Sequence, residues 1–207
     1  MPVLDLISLR FQNLHPFEGL KISMCQHLTA ETAALAVTLK QGGAEIYMAA
    51  SNPRSTQEAV VAALVKYHGI HVFANADETQ EEYLACMDEV LKIQPDIILD
   101  DGAAILPRVY DKYPELAGKL IGTTEQTTAG VAKVEQMDLS GRWPGCQSCM
   151  CKWESGGCYG YVLFCCCVRC GVSCKKQRKA GKPYAAHSSG IGSSGGAAQI
   201  GSHGHPF

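Results

Sequence analysis

The chain has 207 residues, a formal net charge of −2 and 46% apolar residues, which suits one domain with an extension. Its longest apolar stretch, Tyr159–Val168, is about half of the roughly 20 residues a membrane-spanning helix needs. The opening MPVLDLISLRFQNLHPF lacks the basic and apolar regions of a signal peptide, so the expectation is a cytoplasmic protein with reduced thiols and no membrane partner.

The average charge conceals two unlike parts. Residues 1–140 carry 10 Lys/Arg and 19 Asp/Glu, a net of −9, and two cysteines, Cys25 and Cys86. Residues 141–207 carry 8 Lys/Arg, one acid (Glu154) and nine cysteines, a net of +7. The acidic first part argues against nucleic acid as a partner.

Residues 1–18 read as a leading helix or arm that Pro16 ends. From residue 19 a short apolar run, a polar turn and a helix-period segment repeat. The runs Leu20–Cys25, Glu45–Ala49, His71–Ala74, Asp96–Leu99 and Lys119–Gly122 predict strands. Helices are predicted to begin near Thr29, Ser55, Thr79, Ala103 and Gln126. Ser55 with Glu58 and Thr79 with Glu82 fit a capping box, and Gly42-Gly43 and Gly69 sit where helices would stop. Strands alternating with helices imply an α/β fold, an open parallel sheet with flanking helices over residues 19–140.

Residues 141–184 form a Cys-rich basic segment, and residues 185–207, mostly Gly, Ser, Ala and His, read as a disordered tail. Three readings stand for residues 141–207. One is translation from another frame or an intron. A second is a zinc module on Cys146, Cys149, Cys167 and Cys170, whose paired Cys-x2-Cys spacing suits four thiolates. The third is an acylated anchor beside the basic run Lys175–Lys182.

In an open parallel sheet, ligands bind beyond the carboxyl ends of the strands. Polar clusters fall at those points: Gln26, His27, Thr29 and Glu31; Ser51, Asn52, Ser55, Thr56 and Gln57; Asp100 and Asp101; and Thr123 through Thr128. Together they suit a small, hydroxyl-rich ligand, with His27 and Asp101 as candidate acid/base groups. Taken singly, Ser55, Thr79 and Thr123 read as helix caps, and Asp100-Asp101-Gly102 as a turn. Neither a Gly-x-Gly-x-x-Gly nor a P-loop pattern occurs in residues 1–140.

Four stretches in this order resemble the adenosylhomocysteinase family: His27-Leu-Thr-Ala-Glu31-Thr, Ser51-Asn-Pro-Arg-Ser-Thr-Gln57 after Gly43-Ala-Glu-Ile, Ile98-Leu-Asp-Asp-Gly102, and Gly122-Thr-Thr-Glu-Gln-Thr-Thr-Ala-Gly130-Val. The resemblance covers residues 19–137 and implies the front part of a Rossmann-like substrate-binding domain. It implies reversible hydrolysis of S-adenosylhomocysteine to adenosine and homocysteine. NAD oxidises the ribose 3′-hydroxyl, homocysteine is eliminated, water adds, and the ketone is reduced.

By the same resemblance His27 and Asp101 are the acid/base pair. Thr29, Glu31, Ser55, Gln57 and Gln126 bind substrate, with Glu31 accepting from the adenine amino group. Thr127 and Thr128 touch the nicotinamide end of NAD, and the protein is homo-oligomeric. The chain departs from the family at Gln126, where a glutamate is usual, and at Ala103, Ala104 and Ala129. The family's catalytic lysine segment and NAD domain have no counterpart in residues 141–207, so the resemblance implies little turnover by this chain alone. The alternative is a non-catalytic protein that binds adenosine or full-length subunits.

Overall fold

The computed structural model describes residues 2–139, 150–152 and 164–166. Its elements in chain order are α1 (Pro2–Leu14), β1 (Lys21–Gln26), α2 (Ala30–Gln41), β2 (Glu45–Ala50), a 3-10 turn (Pro53–Ser55), α3 (Glu58–His68), β3 (His71–Phe73), α4 (Gln80–Lys92), β4 (Ile97–Asp100), α5 (Leu106–Lys112), α6 (Pro114–Ala117), β5 (Gly122–Glu125), α7 (Thr128–Leu139), β6 (Met150–Lys152) and β7 (Phe164–Cys166). The strand order is β3-β2-β1-β4-β5-β7-β6. The first five strands are parallel, as the alternating pattern predicts. β7 pairs antiparallel with β5, and β6 antiparallel with β7.

The central strands are apolar because both faces are covered, as parallel sheets require. One face packs Ile22, Met24, Ile46 and Met48 against Ala36 and Leu39 of α2 and Leu64 of α3. The other packs Cys25, Ala49 and Ile98 against Met87, Val90 and Leu91 of α4, Leu106 and Val109 of α5, and Val131 and Val134 of α7. Right-handed crossovers account for this division. The chain moves outward from β1 to β3 over one face, then returns past β1 to β4 over the other. α1 lies outside α2, where Phe11 meets Phe17 edge to face at 5.3 Å.

Three boundaries differ from the sequence expectation by three residues, the first being the helix expected near Ala103, which begins at Leu106. The fifth strand is Gly122–Glu125, three residues later than Lys119–Gly122. Lys119 and Leu120 instead close the turn after α6, both donating to the Leu116 carbonyl, and Ile121 donates across to the Asp96 carbonyl. Leu120 is fully buried, so its apolarity serves core packing in a turn. Thr123 therefore does not cap a helix; it lies in the strand, in register with Ile98. The third helix begins at Glu58, and the Ser55–Glu58 capping box does not form. Pro53 starts a separate 3-10 turn, capped by the Asn52 side chain accepting from the Arg54 N–H. The Thr79–Glu82 capping box does form.

Cys146, Cys149, Cys167 and Cys170, and the whole of residues 167–207, lie outside the described residues. The two short strands β6 and β7 come from the Cys-rich segment, where the sequence shows no strand period. Among the described residues no helix is long and apolar enough to cross a membrane.

Two glycines, Gly102 after β4 and Gly130 in the first turn of α7, are required for different reasons. Gly102 adopts φ +74, with open space where a side chain would stand. Gly130 sits so close to the Glu125 carboxyl that a Cβ would overlap it. Gly102→Ala is therefore expected to cost about 1–2 kcal/mol, from backbone conformation alone. Gly130→Ala is expected to cost more, about 2–3 kcal/mol, because overpacking displaces a buried carboxylate. Urea denaturation of both variants checks the ranking.

Candidate functional site

The strand order reverses between β1 and β4, and the loops leaving these two strands diverge to opposite faces of the sheet. A crevice opens there at their carboxyl ends. His27 follows β1 and Asp101 follows β4. The His27 Nε2 lies 3.4 Å from Asp101 Oδ2. On its other side the ring presents Nδ1 at 2.6 Å from Ser55 Oγ. Asp101 is 6% exposed and His27 46% exposed, so the carboxylate forms the floor and the imidazole the rim. Ser51 Oγ also donates to Asp101 Oδ2, at 3.3 Å. Tyr83 of α4 holds Ser51 in turn, its hydroxyl donating to the Ser51 carbonyl at 2.7 Å. Burial pushes the Asp101 carboxyl above its ordinary range, while His27 and the Ser51 hydroxyl pull it down.

Beneath this pair two carboxylates are turned inward, which sequence reasoning did not separate from the polar rim. Asp100 is fully buried and accepts from the backbone N–H groups of Asp101, Ala104, Ile105 and Leu106 at 2.9–3.2 Å. It thus ties down the start of α5. Glu125, 1% exposed, accepts from the N–H groups of Gly102, Ala103 and Thr127 at 2.8–2.9 Å. The signal for Asp100 was its place: an acid ending a strand, followed within six residues by the helix it caps. Ala103, held here at φ +48, has a conformation costly to a residue with a side chain. The Glu125 bond holds it there.

The remaining candidates surround the pair. Thr29 stands just before α2, and its hydroxyl donates to Glu31 Oε2 at 2.7 Å. That bond lowers the pKa of the exposed Glu31 carboxyl and keeps it anionic. Gln57 is exposed at the start of α3. Gln126 Oε1 accepts from Gln26 Nε2 at 2.9 Å, and its backbone N–H donates to the Asp100 carbonyl. Gln26 is 4% exposed, so this amide pair bridges the ends of β1 and β5 over β4.

The Thr127 hydroxyl is used within the protein. It donates to Glu125 Oε1 and accepts from the Gly102 and Gly130 N–H groups. One donor and two lone pairs are all a hydroxyl has, so Thr127 has no capacity left for a bound group. Thr128, in the first turn of α7, is exposed. Among the described residues no group of three His, Cys, Asp or Glu side chains is arranged to hold a metal ion.

A groove of about 500 Å³ lies elsewhere, between α1, α2 and α3, lined by Leu4, Ala33, Val37, Val60 and Ala63 among others. It is mostly apolar, without the converging polar groups of the strand ends. The acid/base geometry belongs to the strand ends.

The buried carboxylate gives a pH signature. Burial above all, and then Glu125, push the Asp100 carboxyl up to about 7, against the pull of its backbone N–H bonds. The unfolded chain has a value near ~3.9. A folded value above the unfolded one stabilises the protein at acid pH, and that contribution is lost as pH rises from about 4 to about 7. Urea midpoints measured across this window should fall with pH through Asp100. In Asp100→Asn one oxygen becomes an NH2 group facing backbone donors, so stability should drop by about 1–3 kcal/mol at acid pH, and this deficit should shrink or reverse toward about pH 7, where the wild-type carboxyl has lost its contribution. The pH slope should also flatten.

The chain matches the family model described as S-adenosyl-L-homocysteine hydrolase over residues 1–111. It is 48% identical over 141 residues to the adenosylhomocysteinase of Aquifex aeolicus, covering 68% of this chain and 34% of that protein. It is also 48% identical over 141 residues to the S-inosyl-L-homocysteine hydrolase of Methanopyrus kandleri, covering 68% of this chain and 33% of that protein. With the Thermoplasma acidophilum adenosylhomocysteinase the identity is 43%, over 68% of this chain and 34% of that protein. The chain therefore spans about a third of the length of the curated relatives it matches. Matched through half its length by the family model, and 48% identical to the Aquifex aeolicus protein over 141 residues, the chain belongs to the S-adenosyl-L-homocysteine hydrolase family.

Proposed function

We propose that the crevice between β1 and β4 binds the nucleoside part of S-adenosylhomocysteine, and that His27 and Asp101 move protons at its ribose. The observation that carries this reading is the contact between a half-exposed imidazole and a buried carboxylate at the sheet's reversal point. An anionic acceptor, Glu31, lies four residues past the imidazole. The reaction is the reversible hydrolysis of S-adenosylhomocysteine to adenosine and homocysteine, to which these residues contribute binding and proton transfer. NAD, when bound, supplies the oxidant for the ribose hydroxyl. Of the two threonines at the start of α7, Thr128 is the one with an exposed hydroxyl to offer it, and Thr127 is its support. We place the protein in the cytoplasm as a homo-oligomer, following the family resemblance.

Overall identity does not choose between adenosine and inosine, since relatives named for each are equally similar. Glu31 supports adenosine. Its carboxylate accepts from the 6-amino group of adenine and repels the 6-oxygen of hypoxanthine. Gln126 fits the ribose: an amide gives neutral hydrogen bonds, weaker than those of a carboxylate by roughly half.

Calorimetric titration tests the reading. Adenosine should bind about tenfold more tightly than inosine, the worth of one charge-assisted hydrogen bond. Glu31→Gln should bring the two ligands to within about threefold, because an amide both donates and accepts. Equal affinities in the wild-type protein would overturn the base assignment, and failure to bind either nucleoside would overturn the nucleoside reading.

Gln126→Glu should tighten adenosine binding by about fivefold to tenfold, since a carboxylate still accepts from Gln26 and accepts more strongly from a ribose hydroxyl. The same titration with 2′- and 3′-deoxyadenosine checks this, because the gain must vanish with the ligand lacking the contacted hydroxyl.

A further inference from the structure

The hydrogen bonds at the rim of the crevice determine which nitrogen of His27 carries its proton. Ser55 Oγ lies 2.7 Å from the Asn52 carbonyl oxygen. A carbonyl only accepts, so the one hydroxyl hydrogen of Ser55 is spent there. The same oxygen lies 2.6 Å from His27 Nδ1. With its hydrogen committed, Ser55 can only accept at this second contact, so Nδ1 carries a hydrogen.

The anchor of this chain is firm. The Asn52 carbonyl also accepts the Ser55 backbone N–H at 3.1 Å. The Asn52 side chain accepts the Arg54 N–H at 3.1 Å. The 3-10 turn thus holds Ser55 and aims its lone pair at the ring.

We propose that Ser55 is a positioning residue that locks neutral His27 in the Nδ1–H form, so that Nε2 is the one ring nitrogen that gains and loses a proton. Nε2 faces Asp101 Oδ2 across 3.4 Å, longer than a usual N–H···O bond. The nitrogen is not sealed by that contact and stays open to the crevice. When Nε2 takes a proton from a ligand group, that group keeps the electron pair and the ring becomes imidazolium. Both of its N–H groups then have a partner, Nδ1–H on Ser55 Oγ and Nε2–H on the Asp101 carboxylate. Returning the proton restores the neutral ring with its Nδ1–H in place.

The tautomer stands on geometry alone; its use in proton transfer rests on the acid/base role proposed above. Ser55, which the sequence resemblance reads as a substrate contact, thereby acts on substrate through His27.

The experiment is nitrogen NMR of the full chain labelled with 15N-histidine, at a pH where the imidazole is neutral. His27 is assigned by His27→Gln. The expected result is Nδ1 at the protonated resonance position and Nε2 at the bare one. Ser55→Ala should move His27 toward the Nε2–H form, which Asp101 favours by accepting from it. Ser55→Thr, which keeps a hydroxyl at the same position, should restore the wild-type pattern. A wild-type His27 found mainly as Nε2–H, or a tautomer unchanged in a folded Ser55→Ala, would overturn the proposal.

Wild-type spectra alone are decisive if Ser55→Ala fails to fold. Adenosine titrated into the same sample separates the two readings. A correct tautomer with no ligand response removes the nucleoside function and leaves the lock standing.

Discussion

A fully buried carboxylate that accepts four backbone N–H groups is the constraint on which the site depends. Asp100 ends β4 beneath the floor of the crevice. Burying a carboxylate without partners is costly, and these donors offset much of that cost. In return the carboxylate fixes the turn that carries Asp101, along with the start of α5. Glu125 repeats the device one strand over, gripping the far side of the same loop and the start of α7. Between them these two acids leave Asp101 as the carboxylate at this edge of the crevice that faces His27.

This division of labour explains why three buried acids sit together at one edge of the sheet. Two of them are spent on backbone N–H groups. The third is supported by Ser51 and His27, and Ser51 by Tyr83 reaching across from α4. The rim is built in the same economical way. The 3-10 turn after β2 exists because Pro53 and Asn52 start it, and it ends with Ser55 against the His27 ring. The bridge from Gln26 to Gln126 ties the outer strand ends over β4. The geometry is thus largely formed before any ligand arrives, as a site that orients proton transfer requires.

Much of this was legible in the chain. The alternation of apolar runs with helical periods gave the parallel sheet, because a strand covered on both faces must be apolar throughout. The strand-end rule then gathered His27, Asp101, Ser55 and Gln126 at one edge of the sheet before any contact was known. What was not legible was orientation. Asp100 and Asp101 are adjacent and chemically identical, yet one faces four N–H groups and the other faces the crevice. Pattern cannot distinguish them, since strand alternation fixes the direction only once the register is known. The register of β5 was itself displaced, because Lys119 and Leu120 read as the start of a strand and in fact close a turn. Ser55 looked like a helix cap because hydroxyls usually are. A proline two residues earlier gave it a turn of its own.

The central claim is that the polar edge between β1 and β4, and not the apolar groove between α1, α2 and α3, receives a nucleoside. Amide chemical-shift mapping of the 15N-labelled protein with added adenosine tests it most directly. Shifts concentrated at residues 26–31, 51–57, 101–103 and 126–128 are predicted. Shifts concentrated along α1 and the facing side of α2, or none at saturating adenosine, would contradict it.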